Sequence, residues 1–353
     1  MAEPIFDNLK GLINTSQRPC LINSPATDFR SPWFRWQQPA GLIKVGTYLQ
    51  SRGYDVRLID CIQIPANNRL TCEKVRQVEI EGYHIDLWCF GLSPLKVIFR
   101  LREWEKQDWK PDIAIVSCGM SFWWQGAKEL ISQRKSDIKI PIILGGPYPT
   151  YYSEHAALES GADALFVGDV SEASNVVPDW NIYAPGPLPR FAGIHLLNPS
   201  GILTPSASPR DPRELAGEVE EKVLQGVTTF AFFDALVKPE HRQHLVDTLK
   251  EVIARKIPKI HFIAPGNFSP RLIDPNLATL LKEAGFNHIY LHDDIQHSPN
   301  QIDYLLNLDD YRNCIESLSQ AGFHPRTDEI GAAIVIGIPG EDLDNITSRL
   351  VQL

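Results

Sequence analysis

The chain predicts an α/β protein of two domains: a doubly wound parallel sheet in the N-terminal half and an open, incomplete (βα) barrel in the C-terminal half. Three observations carry this. Short apolar runs alternate with amphipathic segments through both halves, the rhythm of right-handed βαβ crossovers. Prolines crowd between the halves at Pro178, Pro185, Pro187 and Pro189, where periodicity is lost. The length, 353 residues, suits two cores at roughly 100–200 residues per domain. The expected boundaries are 1–175 for the first domain, 176–192 for a proline-rich linker and 193–353 for the second.

In the N-terminal half the first strand is Pro19 to Asn23. Ala40 to Arg52 reads as a helix, because Leu42, Ile43, Val45, Gly46 and Leu49 share a face, and Gly53 stands at its C-terminal cap. Asp55 to Asp60 is a second strand. A longer connection follows, helical over Leu92 to Trp104. Asp112 to Cys118 is a third strand and Phe122 to Arg134 a third helix. Ile140 to Leu144 is a fourth strand, stopped by Gly145-Gly146-Pro147. A short helix at Glu154 to Ser160 leads to Ala164 to Val167 and Gly168-Asp169.

The C-terminal half has about five βα units. Strands are expected at 193–197, 228–233, 259–264, 288–291 and 330–338. Helices are expected at 212–225, 241–255, 274–284 and 308–321, with a last one after Pro339-Gly340. Five units are too few for a closed eight-stranded barrel.

Composition excludes several classes. Hydrophobic residues make up 43% and charged residues 22%, an ordinary globular balance. A net charge of −9 argues against a general nucleic-acid or anionic-membrane binder. No apolar run approaches the ~18 residues of a membrane span. The first ten residues lack an apolar core, so the expected location is cytoplasmic. The six cysteines, Cys20, Cys61, Cys72, Cys89, Cys118 and Cys314, contain no CxxC pair and read as free thiols.

The order of several short strings resembles the cobalamin-binding radical-SAM family. They are Pro39-Ala40-Gly41-Leu42 with Tyr48-Leu49, Gly53-Tyr54-Asp55-Val56 with Ile59-Asp60, Pro111-Asp112 through Ser117, Ile140 through Pro147, Gly161-Ala162-Asp163 with Gly168-Asp169, and Pro178-Asp179-Trp180. The second half is similar to the family's partial barrel at Gly226-Val227 to Asp234, Leu280 to Gly285, and Ile336-Gly337-Ile338-Pro339-Gly340-Glu341. The resemblance implies a Rossmann-like first domain and a radical-SAM-type second one. It implies that cobalamin, or a related flat ligand, enters beside Ser117, Gly145, Gly146 and Gly168. It also implies a residual S-adenosylmethionine site at Gly337 and Gly340. Glycine lets backbone approach a ring closely, and strand carboxyl ends are where open α/β sheets bind ligands. A tight strand-to-helix turn explains Gly145-Gly146 equally well.

Two departures shape the chemistry expected. The family's CxxxCxxC loop corresponds to Leu197 to Ser208, which holds no cysteine and no histidine, so no 4Fe-4S cluster is expected. A DxHxxG string that would place histidine on cobalt is missing; the nearest string, starting at Asp28, has Arg30 in the histidine slot. The first functional reading is therefore a non-radical binding protein, taking a small-molecule or cobalamin-type ligand and serving as a partner subunit. The alternative is an enzyme using metal or acid–base chemistry at the barrel mouth, where His292, Asp293, Asp294 and His297 cluster. That cluster reads more simply as a polar loop, with Asp294 or Ser298 capping a short helix. Asp234 and His261 are placed equally well at the mouth or the surface. Trp123, Trp124, Trp33, Phe34 and Trp36 read as packing aromatics. His241 and His244 read as a solvated face, as do Glu218, Glu220, Glu221 and Lys222.

Overall fold

The computed structural model describes residues 17–29, 39–62, 71–80, 82–137, 139–168, 170, 173, 176, 179–182, 191–197, 209–224, 226–232, 234, 236–292, 295–298, 301–304, 308–334, 342–344 and 347–348. It is a mixed α/β structure with two parallel sheets, one in each of two compact units that divide near residue 190. Among the described residues no helix is long and apolar enough to cross a membrane.

The first unit is built on β1 (Pro19–Asn23), β3 (Arg57–Asp60), β6 (Ile113–Ser117), β7 (Ile142–Gly145) and β8 (Ala164–Leu165). All are parallel, in the order β3-β1-β6-β7-β8. β1 is buried along its whole length, as expected for a central parallel strand with both faces covered. Its helix α1 (Ala40–Ser51) presents Leu42, Ile43 and Leu49 to a core that includes Leu21, Leu58, Ile113 and Ile143. Gly46 sits where α1 meets that core: a Cβ there would stand 2.6 Å from Leu21 Cδ1. Helix α2 (Pro94–Glu105) starts on Pro94, which suits a first helical turn, and buries Val97, Ile98, Leu101 and Trp104. Helix α3 (Trp124–Asp137) and the short helices α4 (Pro147–Tyr151) and α5 (Ser153–Glu159) follow β6 and β7.

Three strands of this unit were not expected. β2 (Ala26–Phe29), β4 (Cys72–Ile80) and β5 (Tyr83–Phe90) form an antiparallel sheet in the order β2-β5-β4; β4 and β5 lie where the sequence read as a connection, and β2 where no element was expected. β4 is exposed on both faces and mixes Glu73, Lys74, Arg76 and Glu79 with Val75 and Val78, which blurs the two-residue period. The local signal it does carry is Gly82, at φ +82°, in the turn between β4 and β5. Asp28, start of the DxHxxG look-alike, lies on β2 opposite Trp88. Part of the expected linker also belongs to this unit. Asp179 N–H donates to Thr47 Oγ1 at 2.8 Å, and Ile182 is buried in the α1 core.

The second unit carries β9 (Phe191–Ile194), β10 (Thr229–Phe232), β11 (His261–Phe268), β12 (Phe286–His292) and β15 (Ile330–Ala333). They pair in parallel in simple sequence order, β9-β10-β11-β12-β15. Helices α6 (Pro212–Leu224), α7 (Arg242–Ala254), α8 (Pro275–Ala284) and α9 (Leu308–Gln320) join them. The core is aromatic. Phe230, Phe232, Phe262, Phe268 and Phe286 form one connected group, with Phe262 and Phe286 stacked at 5.3 Å between centroids. Leu277, Ala278 and Leu281 of α8 and Leu215, Ala216 and Val219 of α6 close over it. Residues 295–298 and 301–304 pair as antiparallel strands, β13 and β14, so Ser298 lies on a strand and does not cap a helix, while Asp294 lies outside the described residues. His297 therefore lies on a strand.

Candidate functional site

At the carboxyl end of the first sheet, four polar or small residues line up across neighbouring strands. The registers pair Asp60 with Asn23, Asn23 with Ser117, and Ser117 with Gly145. Strand order runs outward in both directions from β1, so the chain reverses between β1 and β6, between Asn23 and Ser117. Open parallel sheets bind ligands in the crevice at such a reversal, because the flanking loops part there. Asn23 Nδ2 donates to Asp60 Oδ1 at 2.7 Å, with both residues buried. Ile62 N–H donates to the same oxygen at 3.2 Å. The Ser117 carbonyl accepts from Ser24 N–H at 2.9 Å. Asp60 falls within the strings that carry the family resemblance, but neither it nor Asn23 was assigned a role at the site, although each is the polar end of an apolar run.

The glycines divide into three kinds. Gly145 ends β7 with no left-handed strain, and a Cβ there would meet Phe166 Cβ at 3.5 Å, an ordinary contact. Gly146 has φ +95°, and a Cβ would stand 2.8 Å from the Cys118 carbonyl oxygen and 2.9 Å from Ser117 Oγ. Its missing side chain is thus required by the protein's own turn, the structural explanation weighed above. Gly168 has φ +99° with no described atom within 4 Å of where its Cβ would be. Among the described residues nothing stands beside the Cβ position of Gly168, while the space at Gly146 is filled.

Around this edge, Cys118 is buried and its thiol is pushed up to about 12 by burial; burial likewise raises Cys61 well above its ordinary value. Trp123 is buried, as expected for packing. Trp124 stacks with Tyr148 and meets His155 edge-on, and Tyr148 Oη and His155 Nδ1 lie 2.8 Å apart. Trp33, Phe34 and Trp36 fall outside the described residues.

In the second unit, Asp234 follows β10 and is buried. Its two carboxylate oxygens accept from Leu196 N–H and Leu197 N–H, each at 2.9 Å. Arg210 Nη1 donates to the His195 carbonyl at 3.2 Å and Nη2 to Glu218 at 2.6 Å. Lys222 Nζ donates to Glu218 at 2.6 Å and to the Gly193 carbonyl at 3.2 Å. Glu218 and Lys222, expected on a solvated stripe, therefore point inward, with the Lys222 side chain only 3% exposed. Burial alone would raise the Glu218 carboxyl, but Lys222 and Arg210 outweigh it and hold it at about 2. Burial lowers Lys222, and Glu218 does not fully restore it. One carboxylate faces two cations that repel each other, so the anion gains more than either partner. Burial also lowers His195, against the pull of Asp234 and Glu218.

The expected acid–base cluster is only partly described. His292 ends β12 half-buried, and its carbonyl accepts from Tyr311 Oη at 3.2 Å. Asp293, Asp294, Gly337 and Gly340 lie outside the described residues, as does the loop 198–208. His261 is exposed at the opposite, amino end of β11. His244 is half-buried, with Nε2 3.2 Å from the Leu196 carbonyl, and His241 Nδ1 accepts from Lys238 N–H at 3.1 Å. Among the described residues no group of three or more His, Cys, Asp or Glu is placed to hold a metal ion.

A scan against protein-family models gives no match, and a search of curated proteins gives none. Among solved structures, phosphoribosyl anthranilate isomerase from Thermococcus kodakaraensis is similar at 19% identity, covering 64% of this chain and 93% of that chain, with a TM-score of 0.20. A likeness at that level carries no argument about fold or function.

Proposed function

We propose that the N-terminal unit is a binding domain for a ligand with a flat or nucleotide-like end, cobalamin by resemblance, and that the chain performs no radical chemistry. In this reading the first sheet is Rossmann-like and the second a radical-SAM-type partial barrel. The observation that carries it is the row Asp60, Asn23, Ser117, Gly145 across the carboxyl ends of the first sheet, at its reversal point. Gly168, with no described atom within 4 Å of its Cβ position, supports it, since a flat group can lie against main chain that carries no side chain. Bound cobalamin would supply cobalt-centred group transfer. The chain's own part is to seat the nucleotide-like end by Ser117, Gly145 and the Gly168 turn. No histidine is assigned to cobalt.

The residues do not fit an iron–sulfur cluster. The second half of the chain holds one cysteine, Cys314, which is buried on α9 with its thiol pushed up to about 12 by burial. No step is therefore routed through a cluster or an S-adenosylmethionine bound to one. Acid–base chemistry around His292 is the weaker alternative. Asp234 and Glu218, carboxylates of the same unit, already serve two backbone amides and two cations.

Titrating the full chain with hydroxocobalamin, followed by visible absorbance and calorimetry, tests the reading. Saturable one-to-one binding is expected, with Ser117→Ala weakened by about one hydrogen bond, ~0.5–1.5 kcal/mol. A wild type that leaves the cobalamin spectrum and heats unchanged removes the ligand assignment.

A further inference from the structure

We infer that Thr150 is a positioning residue that ties together the two glycine turns of the candidate site, an inference that rests on the ligand reading above only for its functional consequence. Thr150 sits half-buried on α4, just past Gly146-Pro147. Its hydroxyl donates to the Gly146 carbonyl at 2.8 Å and accepts from Gly168 N–H at 3.1 Å. One oxygen thus bridges the turn after β7 and the turn after β8. The first bond alone is ordinary, since threonine often bonds the carbonyl four residues back. The second spans 18 residues and joins two turns that no named strand pairing joins at that level.

The two turns are held differently. Gly146 is locked by its own surroundings, with Ser117 Oγ and the Cys118 carbonyl filling the space beside it. Gly168 has no described atom within 4 Å of its Cβ position, and β8 before it is only two residues long. A backbone in the left-handed region after so short a strand has little ladder to fix it. The Thr150 hydroxyl carries the order of the Gly146 turn across to Gly168. The Gly168 backbone is thereby held in one place by its own amide, which lowers the ordering cost of binding beside it. Valine keeps the shape of threonine and removes both bonds; serine keeps both.

The test uses the full chain as wild type, Thr150→Val and Thr150→Ser. Amide hydrogen exchange is measured without ligand, and hydroxocobalamin affinity by calorimetry. In Thr150→Val, Gly168 exchange is expected to quicken by about tenfold while β6 and β7 stay protected, and affinity to fall by about tenfold. Thr150→Ser should keep both within about twofold of wild type. Unchanged Gly168 exchange in the valine variant overturns the tie. Faster exchange with undiminished affinity overturns its role in the site. Loss of protection throughout β6 and β7, or failure of serine to rescue, assigns Thr150 to general stability and likewise overturns the proposal. If the wild type binds no hydroxocobalamin, the ligand reading falls, while the exchange arm still decides whether Thr150 holds Gly168.

Discussion

Glu218 shows how far one side chain's placement departs from its appearance in sequence. In the run Glu218, Glu220, Glu221, Lys222 all four look solvated, yet only Glu218 and Lys222, four apart, share the inward face with Leu215 and Val219. Arg210 arrives from outside the helix as a second cation on the same carboxylate. Removing the anion leaves a buried lysine and a part-buried arginine without their counter-ion, so Glu218→Gln should cost about 3 kcal/mol by urea unfolding. The pH dependence has a definite sign. A folded-state pKa of about 2, below the ordinary 4.5, gives stability that is full above about 4.5 and lost as pH falls toward 2. The wild-type urea midpoint should therefore drop more steeply across that window than the glutamine variant's. Equal slopes would mean that Glu218 is not held by its cations.

At the scale of elements, α8 was legible from end to end. Asp274 precedes Pro275, Leu277, Ala278 and Leu281 recur on one face, and Gly285 closes the helix. The structure uses each signal. Asp274 Oδ1 accepts from Leu277 N–H at 2.9 Å, and Gly285 adopts φ +100°. Asp274 also pairs with Arg242 at 2.5 Å, partly exposed on both sides. Asp274→Ala should destabilise by about 1 kcal/mol, the usual worth of an N-cap. Asp274→Asn should cost less, because the amide oxygen still caps and an exposed ion pair contributes little. Thermal unfolding of both variants checks this, and equal losses would assign the effect to the ion pair. The β2-β5-β4 sheet was illegible by comparison. Local propensity marks a helix with caps, whereas an exposed edge strand such as β4 carries no apolar face to read.

At the scale of the molecule, each unit has its own parallel sheet and its own apolar core, one around Leu21, Ile43 and Ile143 and the other around the five phenylalanines. A fragment of residues 1–189 should therefore fold alone, with α/β circular dichroism and a cooperative thermal transition. A non-cooperative melt would show that its core is incomplete without the rest of the chain. The sequence alone determined the α/β class, the main parallel strands and most helices, because apolar period, glycine caps and proline breaks act over a few residues. It also placed Ser117, Gly145, Gly146 and Gly168 at strand ends. Tertiary structure decided which of them matter and how. Only strand order aligns Asn23 and Asp60 with Ser117. Only packing shows that Gly146 is filled by its own turn while no described atom stands beside Gly168, and only a contact 18 residues long reveals Thr150. Such relations depend on distances across the chain, which neither residue type nor local spacing encodes.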